Sequence, residues 1–317
     1  MIAAPTEPSA IPTEEVLLER LVFAWWNTSL SPVGKDRSDH KHKEIAGEIV
    51  KSLINELKVD CLALGEVTDE NLQFLHKHIG NEAFSSYEGT LKLGRLQFDT
   101  GVIYNSDRLT MIDHKSVTST HAGKNLKVAN RIDFINTSDN SLFHIFVSHW
   151  PSRMQHENIL SRKTVADRLS EQVDEIEEQS HNASIILLGD FNDEPFDESL
   201  SWHFPATRDR SLAKTKKGLF YNPFWRQLGE SEPHSILTQN KGAGGSYFYR
   251  SGTVTRWHTF DQILFSSAFL GASQWHLNEK FTRILQSEFL MELVESEAFF
   301  FDHLPVLSVI ERKTTIQ

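Results

Sequence analysis

The stretch Ser184-Ile185-Ile186-Leu187-Leu188-Gly189-Asp190-Phe191-Asn192 decides how this chain reads. Its apolar run is too short for a helix and has the β-rich, continuous character of a buried strand. Gly189 ends the run, and a carboxylate and an amide follow at once. Upstream, Glu157 to Gln179 is charge-rich and sets Ile159, Val165, Ala166, Leu169, Val173 and Ile176 as the apolar face of an amphipathic helix. A helix that leads into a buried strand with polar groups at its tip is the unit from which α/β architectures build ligand sites.

The same design recurs on either side. Leu21 to Trp26 is a short β-rich run that exits at Asn27, and Cys61-Leu62-Ala63-Leu64-Gly65 delivers Glu66. Between them, His42 to Leu57 repeats Ile45, Ile49, Leu53 and Leu57 at helical spacing, and a further short helix starts near Thr68 or Asp69. Gly101 to Tyr104, Leu109 to Val117, Leu126 to Ile135 and Leu142 to Val147 are strands separated by turns at Asn105-Ser106-Asp107 and Ser138-Asp139-Asn140. Their short loops predict antiparallel pairing. Phe260 to Phe265 and Phe301 to Val306 again couple acidic residues, Asp261 and Asp302, to apolar strands.

The rest of the chain sets limits on function. At 317 residues, 39% hydrophobic and 24% charged, it has the composition of an ordinary globular protein, not of a disordered tail, a collagenous repeat or a disulfide scaffold. No apolar run approaches the roughly 20 residues of a membrane span. The one cysteine, Cys61, lies in a strand and reads as a buried thiol. Residues 1–17, with Pro5, Pro8 and Pro12, read as a flexible lead-in without signal-peptide character, so a cytoplasmic location is expected, and 18–317 read as a single domain. A net charge of −11 argues against nonspecific coating of nucleic acid but leaves open a phosphate site assisted by a cation.

The strand tips supply Asn27, Glu66, His149, Asp190, Asn192, Asp261, Asp302 and His303. Carboxylate, amide and imidazole in that mixture suit a hard divalent ion, Mg²⁺ first and Mn²⁺ as the alternative, better than zinc, which favours more His or Cys.

Trp26-Asn27, Leu64-Gly65-Glu66, Ser148-His149-Trp150-Pro151, Gly189-Asp190-Phe191-Asn192, Phe260-Asp261-Gln262-Ile263-Leu264 and Asp302-His303-Leu304-Pro305 occur in an order that resembles the endonuclease/exonuclease/phosphatase superfamily. The likeness covers nearly the whole chain. It implies an α+β fold, a four-layer α/β/β/α sandwich in which two mixed β-sheets pack face to face with helices outside. It also implies that Glu66 ligates a catalytic metal, that Asn27 helps fix the metal's shell, and that Asp302 is a second acidic group beside it. Asp190 and Asn192 would orient the attacking water and hold the scissile phosphate, His303 would be the catalytic imidazole polarised by Asp261, and His149 would face a phosphate oxygen. Arg131 resembles an arginine that touches substrate phosphate, and Arg153 is a further candidate donor. Two positions depart from the family pattern: Gly65 stands where Gln is usual, and Phe301 where Ser is usual. The lysine that often follows the metal glutamate in abasic-site endonucleases is missing after Glu66, and the chain looks more like a bacterial nuclease-like branch.

Other features have plainer readings. His40-Lys41-His42-Lys43 reads as a solvated helix start, because its lysines would repel a metal. Arg208, Arg210, Lys214, Lys216 and Lys217, opposed only by Asp209, form a basic segment that is either a phosphate-tracking loop or a mobile surface loop. Around it, Trp202, Phe220, Tyr221, Phe224 and Trp225 either stack on bases or belong to the core. The expected activity is metal-dependent hydrolysis of DNA or RNA phosphodiesters, with Lys214, Lys216 and Lys217 contacting substrate. The alternatives are a phosphatase or phosphodiesterase of inositol phosphates, lipid headgroups or nucleotides, and a catalytically silent binding module on the same fold.

Overall fold

The computed structural model of the chain describes residues 17–31, 39–90, 92–93, 96–153, 158–230, 235–236 and 242–314, so nearly all of the expected lead-in lies outside the described residues. β1 (Leu17–Asn27) is followed by α1 (His40–Asn55) and β2 (Cys61–Gly65), then by α2 (Asp69–Ile79) and β3 (Phe84–Glu88). The two-residue strands β4 (Lys92–Leu93) and β5 (Leu96–Gln97) precede β6 (Thr100–Asn105), β7 (Leu109–His121), β8 (Lys124–Asn136) and β9 (Leu142–His149). After α3 (Asn158–Gln179) come β10 (Ser184–Asp190), β11 (Ala206–Thr207), α4 (Arg210–Thr215) and β12 (Phe220–Tyr221). β13 (Tyr247–Phe248) and β14 (Trp257–His258) lead to β15 (Asp261–Phe265), β16 (His276–Ile284), α5 (Glu288–Glu295) and β17 (Val306–Thr314).

The helices begin where their caps dictate. The Asp39 carboxylate accepts from the His42 amide at 2.7 Å and starts α1, and the Thr68 hydroxyl does the same for the Asn71 amide at 3.2 Å in α2.

Two mixed sheets carry the fold, in the orders β16-β17-β1-β2-β6-β3 and β11-β12-β15-β10-β9-β8-β7. Side chains of β10 alternate between two environments, as the period of a strand requires. Ile186 and Leu188 join Phe23, Ile132, Phe134, Phe143 and Ile263 in the core between the sheets. Ile185 and Leu187 face the other way, onto Val165, Leu169, Val173 and Ile176 of α3. Burial of each such side chain contributes about 1.5–3 kcal/mol. On the outer side of the first sheet, Ala46, Ile49, Val50 and Leu53 of α1 are buried. The layers are therefore helix, sheet, sheet, helix. Gly189 is required in β10 because a Cβ there would lie 2.0 Å from the Ser148 carbonyl oxygen of β9.

Two local expectations are corrected. β6 and β7 do not pair despite the short turn at Asn105-Ser106-Asp107: β6 lies in the first sheet and β7 at the edge of the second. The turn is a crossing between sheets, anchored where Arg108 donates to both carboxylate oxygens of Asp60 at 2.8 and 2.9 Å. The His40-Lys41-His42-Lys43 segment does start a helix, yet His42 is buried, with its ring 5.1–6.1 Å from those of Phe299, Phe300 and Phe301. Cys61 is a buried free thiol, as expected.

Candidate active site

Register brings the strand tips together. Parallel pairing of β1 with β2 sets Asn27 opposite Gly65, so that Asn27 and Glu66 emerge side by side. In the second sheet Asp190 stands between His149, its parallel partner on β9, and Asp261, its antiparallel partner on β15. Packing of the sheets closes the group. The Asn27 amide donates to Glu66 Oε1 at 3.3 Å and to Asp190 Oδ2 at 3.2 Å, and lies 3.4 Å from His303 Nε2. Ser29, Glu66 and Asn192 take φ of 55°, 51° and 50°, a left-handed geometry that turns the chain sharply at the strand exits. The Asn192 amide N–H donates to Asp190 Oδ1 at 2.9 Å, and its side chain donates to the Trp150 carbonyl at 3.0 Å. Asp190 therefore caps the turn and also keeps Oδ2 directed into the cleft.

His303 Nδ1 lies 2.7 Å from Asp261 Oδ2, and the other Asp261 oxygen accepts the Trp25 indole N–H at 2.6 Å. With both oxygens engaged and the side chain fully buried, Asp261 fixes the orientation of the imidazole, which leaves Nε2 facing Asp190 Oδ2 at 3.7 Å. Burial opposes a charge on His303, but Asp261, Asp190 and Asp302 outweigh it and push the imidazole up to about 10. Trp25 also explains the glycine at position 65: a Cβ there would lie 2.5 Å from the indole ring. Phe301, the other departure, stacks on Trp26 with centroids 5.8 Å apart, and the Trp26 indole N–H donates to the His303 carbonyl at 3.1 Å.

A second imidazole–carboxylate pair lies on the opposite side of Asp190. His149 Nδ1 is 3.1 Å from Asp99 Oδ2, while its Nε2 is 3.9 Å from Asp190 Oδ2. Lys127 donates to the other Asp99 oxygen at 2.5 Å. Burial acts against both charges, yet His149 and Lys127 hold Asp99 below the usual carboxylate range, and Asp99 raises His149.

Asp302 accepts from the Ser29 hydroxyl at 2.7 Å and lies 3.9 Å from His303 Nε2. Burial raises Glu66, and Asp302 raises it further, while burial also raises Asp190. Carboxylates gathered and raised in this way, even beside two imidazoles, form a site that a dication would stabilise. Ligating atoms of Asp190, Asp261 and His303 lie within 4.8 Å of one another. Asp261 and His303 are bonded to each other, however, and Glu66, held by the Asn27 amide and raised by the nearby Asp302, is a further carboxylate that could hold a divalent ion.

Some expected residues do not join the group. Arg131 pairs with Phe146 farther back along β9, and its guanidinium donates to Asp133 at 2.9 Å. The cation that reaches the rim from β8 is Lys127. The lysines of the basic segment lie toward the opposite end of the second sheet, whereas Arg208 lies over Trp225, whose ring is 6.2 Å from that of Phe196 in the loop that follows Asn192. Tyr221 pairs with Phe265, four residues and about 13 Å along β15 from Asp261. Lys214 lies by Gly271, beyond the end of β15, and Lys217 acts on Glu177 of α3. Arg208 and Arg210 line a lateral cavity of about 410 Å³ with Arg226 and Glu279. Phe220, Tyr221 and Phe224 are buried, whereas Trp202 is 79% exposed. Arg153 does stand at the rim, where it donates to the Asn192 carbonyl at 2.8 Å and pairs with Asp193 and Asp197. Trp25, Ser29, Asp99, Lys127 and Tyr247 are rim residues that the strand-tip pattern does not single out. The ring of Tyr247 lies 4.6 Å from that of His303.

A double-layered sandwich with an acidic, imidazole-bearing rim is an architecture found in a family whose members are phosphoric ester hydrolases. The Endonuclease/Exonuclease/phosphatase family profile matches residues 34–298, and the chain belongs to that family. No curated protein sequence matches it. Among solved structures it is similar to the human Nocturnin catalytic domain with bound sulfate, at 16% identity over 95% of this chain and 98% of that one, TM-score 0.60. It is also similar to D. rerio TDP2 complexed with single-strand DNA product, at 17% identity over 92% and 98%, TM-score 0.59. A third is a Bacteroides thetaiotaomicron mannosyl-6-phosphatase, at 14% identity over 92% and 99%, TM-score 0.58. No helix among the described residues is long and apolar enough to cross a membrane.

Proposed function

We propose that the chain is a divalent-metal-dependent phosphodiesterase that hydrolyses DNA or RNA. The reading rests on one observation: Asp190 Oδ2 and His303 Nε2 face each other at 3.7 Å beside the Glu66–Asp302 carboxylates. Glu66 and Asp302 would hold Mg²⁺ or Mn²⁺, with Asn27 fixing the Glu66 carboxylate. The ion's contribution when bound is to offset phosphate charge and stabilise the leaving oxygen. Asp190 and Asn27 orient a water for attack on phosphorus, and the raised Asp190 carboxylate takes its proton as the bond to the leaving oxygen breaks. His303, kept protonated by its carboxylates, gives its Nε2 proton to the leaving oxygen as that bond breaks, and His149 donates a hydrogen bond to a phosphoryl oxygen from the other side. Asn192 holds the Asp190 turn, and Arg153 braces the Asn192 backbone.

The test is a panel of circular DNA, single-stranded DNA, RNA and a hexose 6-phosphate with Mg²⁺ or Mn²⁺, run for the wild type and Glu66→Gln. Nucleic acid should be cut, chelator should abolish cutting, and Glu66→Gln should need far more metal. Turnover of the hexose phosphate alone would overturn the nuclease reading, and unchanged activity of Glu66→Gln at low Mg²⁺ would remove Glu66 from the site.

A further inference from the structure

The β13–β14 ribbon overhangs the catalytic rim and is bonded to it. Tyr247 pairs with His258 across the ribbon and bridges to His303, the Phe248 amide donates to the Asp302 carbonyl at 2.8 Å, and the Leu304 amide to the Ser246 carbonyl at 2.7 Å. The strand period puts Tyr247 and Tyr249 on one side and Phe248, packed on Trp257, on the other. The Tyr247 ring is inclined by only 22° to Tyr249 and 20° to Phe260, at centroid distances of 6.4 and 5.3 Å. The Arg153 guanidinium lies over the far end of this surface, 4.7 Å from the Phe260 ring. Tyr249 is 47% exposed, and among the described residues neither tyrosine hydroxyl has a protein hydrogen-bond partner. The Tyr247 ring thus lies against the catalytic imidazole, and the exposed Tyr249 ring follows it outward in a nearly parallel plane.

We propose that Tyr247 and Tyr249 form a subsite for a nucleobase attached to the scissile phosphate, a proposal that rests on the phosphodiesterase reading above. Charge supports this assignment. The chain carries a net −11, and Lys214 and Lys217 of its basic segment sit toward the far end of the sheet, so long-range attraction contributes little at the rim. The ion and the imidazoles act on the phosphate alone, and a planar base laid against the tyrosine rings would add contacts that a bare phosphate ester cannot make.

The test compares kcat/KM of the metal-loaded enzyme for thymidylyl-thymidine, for the same diester with one base replaced by hydrogen, and for a hexose 6-phosphate. Wild type should prefer the base-bearing diester by roughly 5- to 150-fold, the range of base–aromatic stacking. Tyr249→Ala should collapse that ratio, and Tyr249→Trp should keep it. A parallel calorimetric titration with thymidine 5′-phosphate and deoxyribose 5-phosphate should show the same loss in Tyr249→Ala without any need for turnover. A ratio that Tyr249→Ala leaves unaltered in both assays overturns the subsite, as does a preference for the hexose phosphate. Absence of turnover on every diester overturns the phosphodiesterase reading instead, and the titration still decides whether a base is bound.

Discussion

The two imidazole–carboxylate pairs beside Asp190 are built from the same parts and differ in what holds the carboxylate's second oxygen. Asp261 receives a neutral indole N–H from Trp25, whereas Asp99 receives the ammonium of Lys127. The contact to the imidazole is shorter in the first pair, 2.7 against 3.1 Å, and Asp261 is fully buried. A neutral donor leaves the full charge of Asp261 to act on His303, while Lys127 offsets part of the charge that acts on His149. The partner of a carboxylate's second oxygen thus bears on how strongly its imidazole is polarised, and the two similar dyads are expected to take different tasks.

The largest expected effect separates the two imidazoles. His303→Ala should lower kcat by about 10²- to 10⁴-fold, and Asp190→Asn by a comparable factor, since both groups handle protons. His149→Ala should cost about 10²- to 10³-fold, the range for a single donor to transition-state charge. Equal losses for the two histidines, in variants shown to be folded by circular dichroism, would erase the distinction.

Next comes the indole. Trp25→Phe removes the donor to Asp261 and should cost about 10- to 100-fold in kcat with little change in KM, because the indole acts through the dyad. A KM effect alone would make Trp25 only a packing residue.

The second dyad should show itself in stability against pH. Asp99 is depressed in the fold, so its stabilisation is present above its usual 3.8 and is lost as pH falls toward the folded value. His149 is raised, so its stabilisation is full below the usual 6.5 and is lost as pH rises through the folded value. Asp99→Asn should therefore destabilise most between about pH 4 and 6.5, by about 1–3 kcal/mol in denaturant titrations, and less on either side. A pH-independent difference would mean that the pair is not ionised.

The smallest effect is expected farthest from either dyad. Replacing Lys214, Lys216 and Lys217 together by Gln should leave the salt dependence of nucleic-acid binding unaltered, because these lysines lie toward the opposite end of the sheet. A flatter salt slope would place substrate along that edge.

The strand tips were legible because a polar residue that closes an apolar run marks a strand exit whatever the register. Asn27, Glu66 and Asp190 have that form, whereas Asp261 opens β15 and His303 precedes β17, the same mark read at a strand entry. Residues whose position depends on register were not. Arg131 and Lys127 lie on the same long strand, and only the pairing of β8 with β9 decides which of them reaches the rim. Trp25 reads as core because its indole N–H finds a partner distant in sequence, across the inter-sheet core. The break between β6 and β7 was hidden for a similar reason, since a short turn can reverse a strand within a sheet or carry the chain to the facing one.

The contact between Trp25 and Gly65 bears on how this sequence can drift. A side chain added at 65 meets the indole, and a smaller residue at 25 leaves a void and an unmatched Asp261 oxygen, so neither position has a tolerable single step. The two sites should change together or remain fixed among descendants of this chain, which makes them a molecular signature of its lineage that can be read without knowing the substrate.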